Sequence, residues 1–242
     1  MSARKVALVI GAGDATGGAI ARRFAREGFV AAPVRRHADK LAALVEQIEK
    51  DGNAVRPFGV DARDEEQMVA LVAEIERTIG PIEVAVFNIG ANVRFPIHEM
   101  TSRVYRKVWE MAALAGFLVG REAAKVMLPR QRGTIIFTGA TASLRGGVGF
   151  CAFAGAKHAL RALAQSMARE LGPKGIHVAH TVIDGAIDTA FIAQNFPERY
   201  ALKASDGILN PDAIAEAYWQ LHCQQRSAWT HELDLRPWSE TW

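Results

Sequence analysis

Apolar residues fall into two alternating rhythms along the chain. Lys5–Ile10, Phe29–Val34, Ala54–Phe58, Ile82–Phe87, Thr134–Phe137 and Ile176–Ile183 are short runs apolar on both faces, the pattern of strands buried on each side. Between them the apolar positions take helical spacing. Ile20, Ala21, Phe24 and Ala25 mark a helix over Gly17–Gly28; Leu41, Leu44, Val45 and Ile48 mark one over Ala38–Lys50. Met68, Leu71, Val72 and Ile75 follow a capping Asp64 and stop at Gly80-Pro81. Later helices are predicted over about Ser102–Met127, Cys151–Leu171 and Pro211–Gln224, with a last strand at His231–Leu235. Strands and helices in alternation predict an α/β fold: a doubly wound parallel sheet of Rossmann type with helices on both faces. No linker or repeat interrupts the pattern, so residues 1–242 read as one dinucleotide-binding domain. The one long weakly patterned stretch, 184–210, reads as a substrate lid.

Composition narrows the classes. Half of the 242 residues are hydrophobic, enough to bury a core, and 2 cysteines do not make a disulfide scaffold. A net charge of +3 with scattered Lys and Arg argues against nucleic acid as a partner. No uncharged run approaches the roughly 18 residues of a membrane span. The apolar stretch near the N-terminus is short and runs into glycines, as a strand does and a signal peptide does not. The expectation is a cytoplasmic protein, not membrane-bound, with Cys151 and Cys223 as free thiols.

Candidate chemistry begins at Gly11-Ala12-Gly13-Asp14-Ala15-Thr16-Gly17, between the first strand and the first helix. Glycines allow a sharp turn and close approach of a ligand, and a helix N-terminus offers unpaired N–H groups to an anion. In this strand–turn–helix context the expected guest is a dinucleotide pyrophosphate. The alternative is that Gly13 and Gly17 only ease helix–strand packing. The second strand ends in Val34-Arg35-Arg36-His37, with no acid for a ribose 2′-hydroxyl. Guanidinium binds phosphate in a bidentate fork, so Arg35 and Arg36 favour NADP(H) over NAD(H), against which Asp14 stands as a nearby negative charge.

With these residues placed, the chain resembles the short-chain dehydrogenase/reductase family over nearly its whole length. Gly11-Xaa3-Ala15-Xaa-Gly17 is similar to the family's glycine turn, with Ala15 for the middle glycine. Asp61 follows the third strand where the family's adenine-contacting acid stands, with Ala62 after it. Asn88-Ile89-Gly90 resembles the end of Asn-Asn-Ala-Gly, and Lys157 the lysine of Tyr-Xaa3-Lys. Asp184-Gly185-Ala186-Ile187-Asp188-Thr189 resembles the Pro-Gly segment, with Asp184 for proline. The resemblance therefore implies cofactor contacts at Gly11, Gly13, Asp14, Thr16, Gly17, Arg35, Arg36, Asp61, Ala62, Asn88, Gly90, Lys157, Gly185, Ile187 and Thr189. It also implies a small-molecule substrate and a homodimer or homotetramer paired through the two long helices.

The family's catalytic set is a Tyr acid/base, a Ser on the carbonyl, a Lys and an Asn. Those positions here are Phe153, Ala140, Lys157 and Ala113, so only Lys157 is retained as a catalytic candidate. Phe153 has no hydroxyl and Ala140 no hydrogen bond to give, while positioned acid–base catalysis is worth about 10²–10⁴-fold. Three readings stay open: an oxidoreductase of unknown substrate with a non-standard proton donor; a catalytically inactive dinucleotide-binding sensor, scaffold or partner subunit; or an isomerase or lyase on the same fold. Lys157 with a pKa lowered by burial is one stand-in acid. Ser143, Cys151, His158, His180 and Tyr200 have more ordinary structural roles as their first expectation. The residues placed near the pocket, among them Val93, Arg94, Leu144, Phe150 and Phe191, predict an apolar ligand site with one arginine, and no metal site is expected.

Overall fold

The computed structural model describes residues 4–241. Seven strands form one sheet: β1 (Val6–Ile10), β2 (Val30–Arg35), β3 (Phe58–Gly59), β4 (Ile82–Phe87), β5 (Gly133–Thr138), β6 (Ile176–Ile183) and β7 (Glu232–Leu235). Their order is β3-β2-β1-β4-β5-β6-β7, and every pairing is parallel. The order reverses between β1 and β4. In such sheets the crevice at the carboxyl ends of those strands is where ligands bind.

Helices cover both faces: α1 (Thr16–Arg26), α2 (Ala42–Lys50), α3 (Glu65–Thr78), α4 (Ser102–Trp109), α5 (Ala115–Met127), α6 (Cys151–Leu171), α7 (Ala190–Asn195), α8 (Pro197–Ala201) and α9 (Pro211–Cys223). The two-residue period of the strands sorts the core. Leu8 and Ile10 of β1 pack with Met68, Leu71, Val72 and Ile75 of α3 and with α5 and α6. Ala7 and Val9 face the other way, onto Ile20 and Phe24 of α1, Ile48 of α2 and Tyr218 of α9. Because both faces are covered, β1 and β4 are buried throughout, which explains their unbroken apolar runs.

Some predicted boundaries need correction. The third strand, expected over Ala54–Phe58, pairs only at Phe58 and Gly59, with an isolated bridge from Val55 to Ala31. Pro57 has no N–H to give a ladder, and an edge position tolerates that. The second helix opens with a tight 3₁₀ turn, Ala38–Leu41, before α2. The expected helix over Ser102–Met127 is continuous but carries a π-turn, Glu110–Leu114, between α4 and α5. The weakly patterned stretch 184–210 contains α7, α8 and a 3₁₀ turn at Leu202–Ser205. β7 closes the sheet by pairing with β6, from His180–Glu232 to Ile183–Leu235. Among the described residues, no helix is long and apolar enough to cross a membrane.

Candidate functional site

The glycine turn leaves β1 at Gly11, whose φ of +85° suits glycine. The amides of Gly11 and Ala12 both donate to the Val34 carbonyl, at 3.0 and 3.1 Å, which ties the turn to β2. Asn88, at the end of β4, ties it to the far side: its amide donates to the Ile10 carbonyl (2.8 Å) and its Nδ2 to the Gly11 carbonyl (3.2 Å). A β-carbon on Gly17 would sit 2.5 Å from the Gly11 oxygen, and one on Gly18 would sit 2.2 Å from the Gly13 oxygen. Gly17 therefore does serve packing, and Gly18 shares that role without having been singled out in the sequence. Gly13 differs, since a β-carbon there would meet nothing within 4 Å. The turn is open above Gly13, at the N-terminus of α1. That end has no side-chain cap, and the buried Thr16 Oγ1 has no hydrogen-bond partner among the described residues. Uncapped amides with a buried hydroxyl beside them fit an anionic guest. Asp14 is exposed at the tip of the turn.

Arg35 is half-buried at the end of β2, and Arg36 beyond it is exposed. Arg35 Nη1 lies 3.5 Å from the Lys40 carbonyl, and neither arginine has a carboxylate partner among the described ion pairs. Asp61 is gripped by Arg63, whose Nε donates to Oδ1 at 2.9 Å and to Oδ2 at 3.2 Å. This bonding holds the Asp61 carboxyl below the usual range. The Asp61 amide donates to Gln67 Oε1 at 3.1 Å, and Ala62 is buried beside it. Gly90 is exposed beyond Asn88. At the far side of the crevice Gly185 takes φ +143° against Pro237, Ile187 bridges to Leu209, and Thr189 caps α7 by accepting the Ile192 amide at 3.1 Å.

Phe153 and Lys157 lie one turn apart on α6, facing the sheet. Lys157 is 2% exposed, and its ammonium donates to the Thr138 carbonyl (2.7 Å) and the Ile89 carbonyl (3.1 Å) at the ends of β5 and β4. No acid pairs with it among the described residues. Burial alone brings its pKa down to about 7. The Phe153 ring centroid is 5.9 Å from Nζ. Ala113, in the π-turn, and Ala140, after β5, join Phe153 in one apolar cluster with Ala91, Val93, Ala142 and Phe150. The three substituted positions thus share one apolar cluster, whose Phe153 ring lies beside the lysine.

Other groups stand where they do ordinary work. Ser143 Oγ accepts the Ala140 amide at 3.1 Å inside a buried turn. Thr141 donates to Asp184. His158 turns away, its Nδ1 2.8 Å from the Ala154 carbonyl. Tyr200 meets Lys203 in the 184–210 segment, at 3.4 Å. Cys151 is half-buried at the start of α6. Arg94 is exposed and lies over the Phe150 ring at 5.8 Å. Two further buried groups border the crevice, Tyr218, which the sequence did not single out, and His180, for which an ordinary structural role was expected. Tyr218 is buried, its hydroxyl 2.8 Å from Thr138 Oγ1 and also bonded to Thr181, and burial pushes its pKa up to about 12. His180 is buried with Nδ1 3.0 Å from Glu232 Oε2 and with Nε2 unpartnered among the described residues; burial pulls its pKa down to about 4. Among the described residues, no group of three or more His, Cys, Asp or Glu could hold a metal ion.

Comparison with known proteins bears on this arrangement. The family described as short chain dehydrogenase matches residues 5–200. A short-chain dehydrogenase from Rhodopseudomonas palustris, of known crystal structure, is 50% identical, with 97% of this chain and 99% of that one covered and a TM-score of 0.82. Gluconate 5-dehydrogenase of Gluconobacter oxydans is 29% identical over 172 residues, 71% of this chain and 67% of the relative. A metagenomic short-chain oxidoreductase crystallised with NADP shares the fold at 24% identity and a TM-score of 0.82, with 98% and 99% of the two chains covered. With the family match spanning most of the parallel sheet and its glycine turn, this chain belongs to the short-chain dehydrogenase family of oxidoreductases.

Proposed function

We propose that the protein binds NADP(H) and uses it on a small carbonyl or alcohol substrate, through a site that lacks the family's usual acid. The observation that carries the reading is the open cradle at Gly13, over the uncapped N-terminus of α1 and the unpartnered Thr16 hydroxyl. Gly11, Gly17 and Asn88 hold that cradle in shape, and α1 directs its free amides at the pyrophosphate. Arg35 and Arg36 stand at the end of β2, where a 2′-phosphate would lie; neither has a carboxylate ion-pair partner among the described residues, although Asp61 feels the charge of Arg36. Asp61 and Ala62 border the adenine side, and Gly90, Lys157, Gly185, Ile187 and Thr189 border the nicotinamide side. Bound there, the nicotinamide supplies or accepts a hydride. The segment 184–210 acts as a lid over the reacting end. Val93, Phe150 and Phe153 give the substrate an apolar wall. The reading includes a cytoplasmic homodimer or homotetramer, with Tyr105, Trp109 and Phe117 exposed along α4 and α5 as its contact surface.

The test is titration of the purified protein with NADPH and NADH by nicotinamide fluorescence. Micromolar NADPH affinity is expected, with NADH weaker. R35A combined with R36A is expected to cost NADPH at least tenfold and to leave NADH within twofold; absence of binding by either nucleotide rejects the reading. A second reading, a non-catalytic nucleotide sensor or partner subunit, draws on the apolar replacements Phe153, Ala140 and Ala113. NADPH binding without turnover of any carbonyl would favour it.

A further inference from the structure

Lys157 is the remaining polar group of a site otherwise converted to apolar side chains. Its ammonium sits where the carboxyl ends of β4 and β5 meet, holding the Ile89 and Thr138 carbonyls at 3.1 and 2.7 Å. An ammonium has three hydrogens, and the third has no acceptor among the described residues. The Phe153 ring centroid lies 5.9 Å from the ammonium, and that ring belongs to the apolar cluster. A cation buried this deeply with no counter-ion is costly, and the usual escape is to give up its proton.

We propose that Lys157 itself delivers the proton in carbonyl reduction, in place of the missing tyrosine. The proposal rests on the NADPH-dependent reading above. The substrate carbonyl carbon takes a hydride from the reduced nicotinamide, the C=O π pair moves onto oxygen, and a Lys157 N–H bond breaks as the new O–H bond forms. The products are an alcohol, oxidised cofactor and a neutral amine, which regains its proton from water before the next turnover. In alcohol oxidation the neutral amine accepts the proton.

The groups on the surrounding elements leave this role to Lys157. On β4, Glu83 lies at the opposite end and pairs with Arg132. β5 and the turn after it contribute Thr138, Thr141 and Ser143, none of which titrates in the relevant range. On β6, His180 feels the lysine's charge but is neutral above pH 4, and Asp184 is bonded to Thr141, 3.8 Å from Arg236. Glu232 of β7 is taken by Arg161 of α6 at 2.7 Å. Also on α6, His158 is bonded to the Ala154 carbonyl, and Cys151 lies at the helix start. From the α4–α5 helix, the Tyr105 hydroxyl lies against Gly155, and Glu110 acts on Arg63. Burial therefore dominates, and the amine titrates at about 7.

The experiment uses full-length protein with ε-¹³C-lysine labelling, the Lys157 signal being assigned from K157R. Expected is a titration near pH 7, and NADPH-dependent reduction of aromatic 1,2-diketones and α-keto esters that falls tenfold per pH unit above it. K157A is expected to lose about 10²–10⁴-fold in turnover, and added ethylamine to restore at least tenfold, in proportion to its protonated form. A Lys157 titration above pH 9 overturns the proposal. So does K157A turnover within threefold of wild type, or NADPH binding with no turnover of either carbonyl class. NADPH fluorescence on the same samples separates the two ideas: failure to bind the nucleotide rejects the cofactor reading, whereas binding with an ordinary lysine titration rejects only the proton donor.

Discussion

A β-carbon on Gly139 would stand 2.3 Å from His180 Nε2 and 2.8 Å from Ser143 Oγ. Gly139 is therefore a space-keeper for the buried histidine, since neither neighbour is the free end of a flexible chain. G139A is expected to cost about 1–3 kcal/mol as an overpacking change, measured by urea denaturation. In an H180A background the same substitution should cost less than half as much, and equal costs in both would remove the contact as the cause. Lys157 offers a second test at this scale. Its folded pKa of about 7 lies below the ordinary value of 10.5. The unfolded chain thus holds more protons between those values. Stability contributed by the lysine is present above the unfolded pKa and is lost as pH falls toward 7, by roughly 1.4 kcal/mol per pH unit. Wild-type stability should rise by about 2 kcal/mol from pH 7.5 to 9, and K157M should lack that rise. The identities at 113, 140 and 153 were legible because they sit at fixed offsets from Lys157 and Gly116. The Gly139–His180 contact was not, because it joins neighbouring strands 41 residues apart and depends on their register.

At the scale of elements, legibility followed length. α6 matches its predicted bounds because 21 residues display several turns of apolar spacing. α7 and α8, of 6 and 5 residues, are too short for any period to register. The π-turn at Glu110–Leu114 inserts one extra residue into a helix, which shifts its apolar stripe rather than ending it. Without caps or glycine to mark it, the stretch reads as one helix. The C-terminal segment was also ambiguous, because a terminal strand can pair with its own sheet or reach a neighbour. Here it does the former and then braces the 184–210 segment. Pro237 packs on Gly185, Trp238 Nε1 donates to the Ser205 carbonyl at 2.9 Å, and Arg236 lies near Asp184. Trp238 is nonetheless 79% exposed, so its contribution to global stability is small. Truncation after Arg236 should leave the melting temperature within about 3 °C. It should at the same time speed amide exchange across 184–210 by at least tenfold. Unchanged exchange there would mean that residues 184–210 are held by their own Ile187–Leu209 bridge.

Across the whole molecule, neutral histidines that are buried or half-buried lie on or against the sheet toward both of its ends, and they set the response to acid. His180 lies on β6 near the crevice. His222 lies at the end of α9, with Nδ1 2.9 Å from Thr134 Oγ1 and its ring among Phe24, Phe29 and Trp219. Burial takes each from 6.5 down to about 4. Between those values the unfolded chain binds protons that the folded one refuses. Their stabilising effect is complete above pH 6.5 and is lost as pH falls toward 4, at most about 3.4 kcal/mol for each. The paired carboxylates act lower. Arg161 holds the Glu232 carboxyl below its ordinary value of 4.5, and that ion pair's contribution is lost only as pH falls through the depressed pKa. Acid unfolding should therefore begin near pH 6, well before the carboxylates titrate. His180 and His222 contribute up to about two protons, or about 2.7 kcal/mol per pH unit, to the stability slope between pH 6 and 5, and buried His177, whose pKa burial also lowers, adds to it in the same direction. H222Q keeps a polar contact for Thr134 without an imidazole to protonate, so it should reduce that slope by about one proton, roughly 1.4 kcal/mol per pH unit, and leave the loss below pH 4.5 in place. A wild-type profile flat from pH 7 to 5 would show that the histidines are hydrated or already charged in the folded protein, and that the apolar packing around them is looser than the ring contacts indicate.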